Sequence, residues 1–521
     1  MTREETPVST APERTTTAAP PDEARVRLVL RVLTASAFVV ILNETLMLNA
    51  LPPLMDAFGV DAGTGQWLTT GFMLTMAVVI PTTGWLLQRL SLRTAYLLAM
   101  GVFIAGTALA AAAPTFEVLL LARVVQASGT AVMMPLLMTT IMTLVPPERR
   151  GGVMGNLTLA ISVAPAMGPP VSGLILELAS WRWLFGLVLP IAVVMTVAGG
   201  RLLRGDEPGR PARLDVPSAL LTALGFGGLV YGLSALGEGA AGPVGPAWSL
   251  GVGVGALAVF AWRQLWLARR DESLVFLDLR ALRITRYVVP LALLCLGFMS
   301  LIGAMLLLPI LLQQVRGFGT LASGLMLMPG GLAMGLLGPT VGRIYDRVGP
   351  RPLVIPGGAG LVAGMTGMAL LADQVPWWGL VGLHVVVSLS LACLFTPCFT
   401  TGLSSLPGRL YSHGSAMVGT GQQVAAAAGT ALVVTVMETR AFQLGASGLG
   451  EREALEGGIG TALLVATGIA VGVFVLSFFV RPAPKDADAD AGGTQERPTQ
   501  PAGERDQESA ATGTAYPEPV A

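Results

Sequence analysis

Fourteen apolar segments, each long enough to cross a lipid bilayer, constrain this chain more than any other feature of its sequence. About 20 helical residues, rising ~1.5 Å each, span the ~30 Å hydrocarbon core. Only 12% of the 521 residues are charged, against about 25% in soluble domains. The sequence therefore predicts an all-α polytopic membrane protein with 14 transmembrane helices, at residues 28–51, 66–88, 94–113, 117–145, 152–177, 182–202, 215–236, 248–268, 286–312, 321–343, 352–372, 377–402, 413–437 and 458–480.

The distribution of arginine predicts how these segments are oriented. An even number of spans places both termini on one side of the membrane. The connections on that side hold eighteen arginines, whereas the opposite connections hold only Arg182, Arg316, Arg440 and Arg452. Positive residues are retained on the cytoplasmic side. We therefore expect a multi-pass protein of the cytoplasmic (inner) membrane with both termini in the cytoplasm.

An internal repeat occurs at the ends of the second and tenth segments. GWLLQRLSLR, from Gly84 to Arg93, aligns with GRIYDRVGPR, from Gly342 to Arg351. A glycine and two arginines recur, and an amide stands opposite an acid; the paired positions are Gly84 and Gly342, Gln88 and Asp346, Arg89 and Arg347, and Arg93 and Arg351. Halves related by such a repeat are typical of transporters that arose by duplication.

The repeat predicts five parts of the chain. Residues 1–27 are polar and are expected to form a disordered cytoplasmic tail. Two six-helix bundles, 28–202 and 271–480, correspond to the two copies. The part between them, 203–270, is a linker that carries an inserted transmembrane hairpin. Residues 481–521 have few apolar residues and are expected to form a disordered cytoplasmic tail.

Glu44 is the residue that the surrounding helices must accommodate. A charged side chain within a spanning helix costs on the order of 3 kcal/mol or more unless it is neutralised, paired or hydrated. Arg123, in the fourth segment, lies at a similar distance from the outer membrane surface, and Gln126 lies on the same helical face. An acid and a guanidinium in a low-dielectric cavity can alternate between an ion pair and a protonated acid. We predict a proton-coupling or substrate-binding element; the alternative is a salt bridge that only holds two helices together.

Other polar residues within the segments have a structural and a functional interpretation. Asn43 and Asn49 lie on faces other than that of Glu44, so at least one is expected to pack against a neighbouring helix. His384 is a candidate ligand or proton relay, although a single histidine on an apolar helix is more often hydrogen-bonded within the bundle. Interhelical hydrogen bonding is likewise favoured over substrate contact for Gln422 and Gln423.

The fifth segment contains APAMGPPVSG, in which Pro165 and Pro169 accompany Gly168 and Gly173. Prolines remove backbone donors and bend helices, and glycines allow a second helix to approach closely. We predict a bend here. We interpret these four residues, together with those of the repeat, as candidates for gating.

The sequence gives no indication of an enzyme. It has no GxxxxGK[ST] phosphate loop, no Cys/His metal cluster and no G-x-S-x-G elbow. The three cysteines match no zinc or disulfide framework. The net charge of zero gives no basic bias toward nucleic acid. We expect no metal or other cofactor, and without an ATP-binding loop transport must draw on an ion gradient, such as a proton gradient, or on the gradient of the substrate itself.

Several motifs together resemble the fourteen-span drug:proton antiporters of the major facilitator superfamily, from about Arg27 to Arg481. LNETLMLNALP, with Glu44, is similar to the first-span signature of the lincomycin-type exporter branch. LLARVVQASGTA is similar to the fourth-span motif and places Arg123 at its functional arginine. APAMGPPVSG resembles the antiporter motif of span 5, and QWLTTGFML and WRWLF are also characteristic.

The resemblance implies two six-helix bundles that enclose a cavity and alternate in access, with spans 1, 2, 4 and 5 facing spans 9, 10, 12 and 13. It also implies the exchange of protons for amphipathic drugs or antibiotics; separately, we expect a monomer, although the sequence leaves the oligomeric state open. One departure is Gln88, because the family has an acid there that helps to lock the outward-facing state; Asp346 keeps this acid in the second copy.

Three other functions remain open from the sequence. A dedicated exporter of one natural product would be inhibited by few unrelated compounds. A non-transporting receptor is expected to carry a sizeable soluble signalling segment. A passive channel would keep its flux when the pH gradient collapses.

Overall fold

The computed structural model describes residues 23–47, 50–203, 215–237, 245–270, 274–371 and 374–483. The predictions for Asn49 and for most of both tails (1–22 and 484–521) lie outside these residues. Residues 23–27, which were expected to belong to the N-terminal tail, are instead the first turn of a helix. This turn is anchored because Arg25 Nη2 donates a hydrogen bond to the carbonyl oxygen of Leu202 at 3.2 Å.

Fourteen helices among the described residues are long and apolar enough to cross a bilayer, which confirms the predicted all-α fold and number of spans. They are α1 Glu23–Leu46, α2 Gly63–Arg89, α3 Leu92–Ala111, α4 Phe116–Leu144, α5 Pro147–Leu178, α6 Arg182–Leu202, α7 Val216–Leu236, α8 Pro246–Arg270, α9 Thr285–Val315, α10 Leu321–Val348, α11 Arg351–Leu371, α12 Trp377–Ser404, α13 Gly408–Ala446 and α14 Glu451–Ser477. The described residues contain no β-strand.

Several helix ends differ from those expected from hydropathy. α1 ends at Leu46 rather than at residue 51, because Pro52 and Pro53 occupy the first turn of a separate short helix, Leu51–Phe58. α13 continues past the predicted residue 437, and α14 begins before residue 458. Both extensions contain charged residues, which a helix tolerates once it leaves the hydrocarbon core.

Side-chain caps fix the starts of three helices. Asp61 accepts a hydrogen bond from the Thr64 amide at 2.7 Å, just before α2. Ser91 caps α3 and Thr115 caps α4 in the same way, because each side chain accepts a hydrogen bond from the backbone amide three residues later. Such caps satisfy backbone donors that have no partner within the helix.

Two six-helix bundles are apparent from the packing. In the first, α1 packs on α5 and α6, α3 on α4 and α6, and α2 on α4. In the second, α9 packs on α12, α13 and α14, while α11 packs on α12 and α14. The halves meet where α5 lies against α10 and α12, and where α2 and α4 lie against α13.

The inserted hairpin, α7 and α8, lies against both halves, because α7 packs on α2 and on α13. Its helices approach at backbone distance: a Cβ on Gly228 would lie 2.9 Å from the Ser249 carbonyl oxygen. At the end nearer the termini, Arg263 forms an ion pair with Asp215 at 2.7 Å, and Ser218 also donates a hydrogen bond to that carboxylate. The ion pair joins the start of α7 to α8.

We expect Asp215→Asn to destabilise the hairpin in a pH-dependent way. Burial alone would raise the pKa of Asp215, but hydrogen bonds from Arg263 and Ser218 and the Arg263 charge outweigh it and lower that pKa. The stabilisation is therefore complete at neutral pH and is lost as the pH falls through the folded-state pKa, below about 4. The loss in the variant at pH 7 should be about 1–3 kcal/mol.

The measurement is the thermal unfolding midpoint of the purified protein in detergent at pH 7 and at about pH 3. Asp56→Asn is the matched control, because Asp56 is exposed. If the unfolding midpoints of Asp215→Asn and the native protein differ by the same amount at pH 7 and at about pH 3, the ionised Asp215 carboxylate is not the source of the stabilisation.

Candidate functional site

Glu44 and Arg123 lie together in the first bundle. Glu44 is in the last turn of α1 and is partly exposed, whereas Arg123 in α4 is 1% exposed. The two side chains interact electrostatically. The two residues that the sequence analysis paired are therefore close enough in space to influence each other's charge.

Arg123 is held by groups from two helices. Its Nη1 donates to Gln126 Oε1 at 2.6 Å, and its Nε donates to the Leu68 carbonyl oxygen at 3.4 Å. The guanidinium carbon lies 4.0 Å from the centroid of the Phe72 ring. Gln126 in turn donates to Thr107 Oγ1 at 2.8 Å. These contacts fix the position of the guanidinium.

The Glu44 carboxyl group has no such arrangement, because no hydrogen-bond donor to it is present among the described residues. Its neighbours along α1 are buried instead. Asn43 is 1% exposed, and its Nδ2 has no partner among the described residues. Thr45 donates to the Ala164 carbonyl oxygen of α5 at 3.4 Å. Burial of Asn43 agrees with the expectation that at least one of Asn43 and Asn49 packs against a neighbouring helix.

The proline-rich segment of α5 lies between this site and the second half. A Cβ on Gly168 would lie 2.7 Å from Thr45 Cβ of α1. On the other side, Pro169 approaches Gly324 of α10. α5 is one continuous helix that contains Pro165, Pro169 and Pro170. The prolines therefore do not break the helix. The segment connects the surroundings of Glu44 to α10.

The two glycines of this segment make a matched pair for mutation. We expect Gly168→Ala to push α5 away from α1, to cost about 1–3 kcal/mol of stability and to impair transport. Gly173→Ala should be nearly neutral, because its Cβ would meet Leu321 at an ordinary 3.9 Å. Thermal unfolding midpoints and efflux rates of both variants test this. Equal effects of the two substitutions would show that the close contact with Thr45 is unimportant.

His384 lies apart from this site, in the second half. It is 5% exposed, hydrogen-bonds to the Leu327 backbone of α10, and its Nδ1 has no partner among the described residues. It lies among apolar side chains of α9, α10 and α12, which are Leu308, Leu312, Met326, Leu327, Leu380 and Val381. The structure therefore does not bring His384 to Glu44.

Gln423 makes an interhelical contact, as the sequence favoured, through its Nε2 and Met76 Sδ at 3.9 Å. Among the described residues, no group of three or more His, Cys, Asp or Glu side chains is placed to hold a metal ion.

The second copy of the repeat makes a contact between the halves at the end of the bundles where α1 begins and α14 ends (the termini side). Asp346 at the end of α10 accepts hydrogen bonds from the amides of Gly151 and Gly152, both at 2.8 Å. A Cβ on Gly342 would overlap the Gly151 carbonyl oxygen. Arg351 donates to the Val480 carbonyl oxygen at 2.8 Å.

The arginines of the repeat have peripheral positions. Arg89 lies over the Trp85 ring, with 5.7 Å from its guanidinium carbon to the ring centroid. Arg93 and Arg347 are exposed. These positions fit the surface of the termini side rather than the contact between the halves.

Two residues that the sequence analysis did not select also join the halves. His413 of α13 contacts Gln88 of α2, with 2.6 Å between the two Nε2 atoms. Arg150 is 5% exposed and donates to the carbonyl oxygens of Met142 and Val145, at 2.9 and 3.0 Å, with its guanidinium over the Tyr411 ring. His413 could have been selected because only two histidines occur in 521 residues.

Comparisons with known proteins agree with this architecture. The sequence model of the Major Facilitator Superfamily matches residues 33–430. The chain is 39% identical to an uncharacterized MFS-type transporter, YcnB, of Bacillus subtilis, over 88% of this chain and 96% of that protein. It is 36% identical to the lincomycin resistance protein LmrB of Listeria monocytogenes, over 86% and 95% of the two chains. The crystal structure of the human organic anion transporter MFSD10 superposes with a TM-score of 0.60 at 18% identity, over 88% of this chain and all of that one.

Proposed function

The chain belongs to the Major Facilitator Superfamily of transporters, and we propose that it is a proton-coupled antiporter that exports amphipathic drugs or antibiotics by alternating access. Its partners are then a small amphipathic molecule, protons and the lipid bilayer. In this proposal it acts as a monomer in the cytoplasmic membrane, with both termini in the cytoplasm. The proton gradient supplies the energy for transport, and no cofactor is required.

The observation that supports this proposal is the unequal fixation of Glu44 and Arg123. The guanidinium is held by Gln126, by the Leu68 carbonyl oxygen and by the Phe72 ring. The carboxyl group of Glu44 interacts with this charge but is partly exposed. A low-dielectric site disfavours the carboxylate, and a nearby guanidinium favours it. Small changes in the surroundings of Glu44 can therefore shift its carboxyl group between binding a proton and binding a cationic group of the substrate.

A route from this exchange to the movement of the halves follows from the packing of α5. Gly168 contacts α1 one residue from Glu44, and Pro169 contacts α10. A shift of α1 on proton release would be transmitted through α5 to the second half. Rigid-body rocking of two bundles about a shared site is the usual form of alternating access.

The names of the relatives also support a drug substrate. LmrB of Listeria monocytogenes is named for lincomycin resistance, and MdtD of Klebsiella pneumoniae, 30% identical over 78% of this chain, is named a putative multidrug resistance protein. A dedicated exporter of one natural product is the alternative within transport.

Transport of an amphipathic cationic dye into inverted membrane vesicles tests the proposal. We expect uptake into the vesicles when a proton gradient is imposed and loss of the accumulated dye when the gradient is collapsed. Many unrelated amphipathic competitors should inhibit; inhibition by only a few would indicate the dedicated exporter. Flux that persists without the proton gradient would overturn proton coupling.

A further inference from the structure

The two copies of the repeat make corresponding contacts with different chemistry. In the second copy, Asp346 accepts hydrogen bonds from backbone amides at the start of α5. In the first copy, Gln88 at the end of α2 contacts the side chain of His413 at the start of α13. Both contacts join opposite halves on the termini side. Only the first includes an imidazole, which changes its charge between about pH 5 and 8.

The imidazole ring of His413 is enclosed by one face of α2. Gly84 and Gln88 are one helical turn apart, so they lie on the same face. A Cβ on Gly84 would be 2.9 Å from His413 Nδ1. His413 is 3% exposed, and its Nδ1 has no hydrogen-bond partner among the described residues. The ring is therefore enclosed, and these surroundings suit a neutral imidazole better than a charged one.

The charged groups around His413 are largely committed to one another. Asp278 and Arg280, which precede α9, interact with His413 electrostatically. Arg280 binds both carboxylate oxygens of Asp278, at 2.9 and 3.0 Å from Nε and 2.7 Å from Nη2. From α9, Tyr287 donates its hydroxyl to the Gly414 carbonyl oxygen, and Arg89 of α2 lies over the Trp85 ring. Burial would raise the pKa of Asp278, but its hydrogen bonds with Arg280 outweigh this and lower it.

We propose that Gln88 and His413 form a proton-sensitive latch that holds the two halves together on the termini side. A proton on the enclosed ring would give it a charge and two N–H donors, whereas the Gln88 atom that faces the ring at 2.6 Å, the amide Nε2, is itself a donor. The charge is hydrated only when α13 and α2 move apart, and a buried charge without its own counterion is unfavourable. Protonation of His413 therefore favours opening on this side, whereas the Asp346 contact is independent of it.

The inserted hairpin fixes the surroundings of this latch. Gln264 of α8 accepts hydrogen bonds from the amides of Phe276 and Leu277, at 2.9 and 3.2 Å. Leu277 in turn lies against Gly84, with its Cδ1 3.5 Å from the position of a Cβ there. The segment that carries Asp278 is thereby held beside His413. This gives α7 and α8 a role in setting the response of the latch.

Distance measurements between spin labels test the latch without measuring transport, so the result is independent of the proposed drug efflux. Labels are attached to Leu98→Cys in α3 and Val348→Cys in α10, both of which are exposed. The three native cysteines, Cys295, Cys393 and Cys398, are replaced by alanine. The full-length chain is measured in lipid nanodiscs between pH 8.5 and 5.5.

We expect the ratio of the population with the closed distance to the population with the open distance to fall roughly tenfold from pH 8.5 to pH 5.5. His413→Gln should abolish the step, because glutamine keeps an amide partner for Gln88 but does not titrate. His384→Gln, at the other histidine, should keep it. Gln88→Leu should lower the closed fraction already at pH 8.5, and Asp346→Asn should lower it at every pH while the step remains.

Two results would overturn the proposal. One is a pH step that persists unchanged in His413→Gln, and the other is a parent protein whose distances do not respond to pH. If His413→Gln does not fold, an unaltered closed fraction in Gln88→Leu at pH 8.5 would be equally decisive against the latch.

Discussion

Glu44→Gln is expected to abolish proton-driven efflux, to the level of vesicles that lack the protein, while leaving the protein folded and inserted. Glutamine has nearly the shape of glutamate and keeps a polar group near Arg123, but it cannot exchange a proton. The measurement is dye accumulation in inverted vesicles under an imposed proton gradient. Membrane content and the thermal unfolding midpoint should remain close to those of the native protein.

Glu117→Gln is the matched control, because Glu117 lies in α4, as Arg123 does, but is exposed at the helix start. Exchange of substrate in the absence of a gradient separates two roles of Glu44. Exchange that survives in Glu44→Gln would assign Glu44 to proton coupling alone, whereas loss of exchange for cationic substrates would assign it to substrate binding as well. Native efflux in Glu44→Gln would remove Glu44 from the mechanism.

The helices and the proximity of Glu44 to Arg123 were predictable from the sequence. A bilayer requires long apolar helices with their backbone groups paired internally, so hydropathy alone gives the spans. Helical periodicity placed Gln126 on the face of Arg123, and the structure shows the hydrogen bond between them. The repeat singled out Gly342 and Asp346 as the counterparts of Gly84 and Gln88, and both contact the start of α5.

The partners supplied by other helices were not predictable in this way. The position of a residue along one helix gives its depth and its face, but it does not say which helix of the other half will lie opposite. Phe72 and the Leu68 carbonyl oxygen at Arg123 come from α2, and His413 at Gln88 comes from α13. The end of α1 was also misplaced, because its apolar sequence continues into the short helix that begins at Leu51.

Gly342→Val is expected to prevent closure on the termini side and to abolish transport. A Cβ at this position would overlap the Gly151 carbonyl oxygen and would lie 3.0 Å from Gly152 Cα. Both neighbours are backbone atoms at the start of α5, so no side chain can rotate away to make room. α5 and α10 must then separate at this end, and Asp346 loses its hydrogen bonds to the two amides.

Gly382→Val is the matched control, because a Cβ on Gly382 in α12 would have nothing within 4 Å. The spin-label pair on α3 and α10 should show the open distance at every pH in Gly342→Val, since the separation is steric and does not depend on His413. Dye efflux should fall to background in this variant and remain near native in Gly382→Val. Because each half keeps its own packing, membrane content should be retained in both. Native efflux in Gly342→Val would mean that the halves do not need this contact to close, and closure would then have to rely on the contacts of α5 with α12 and of α2 and α4 with α13.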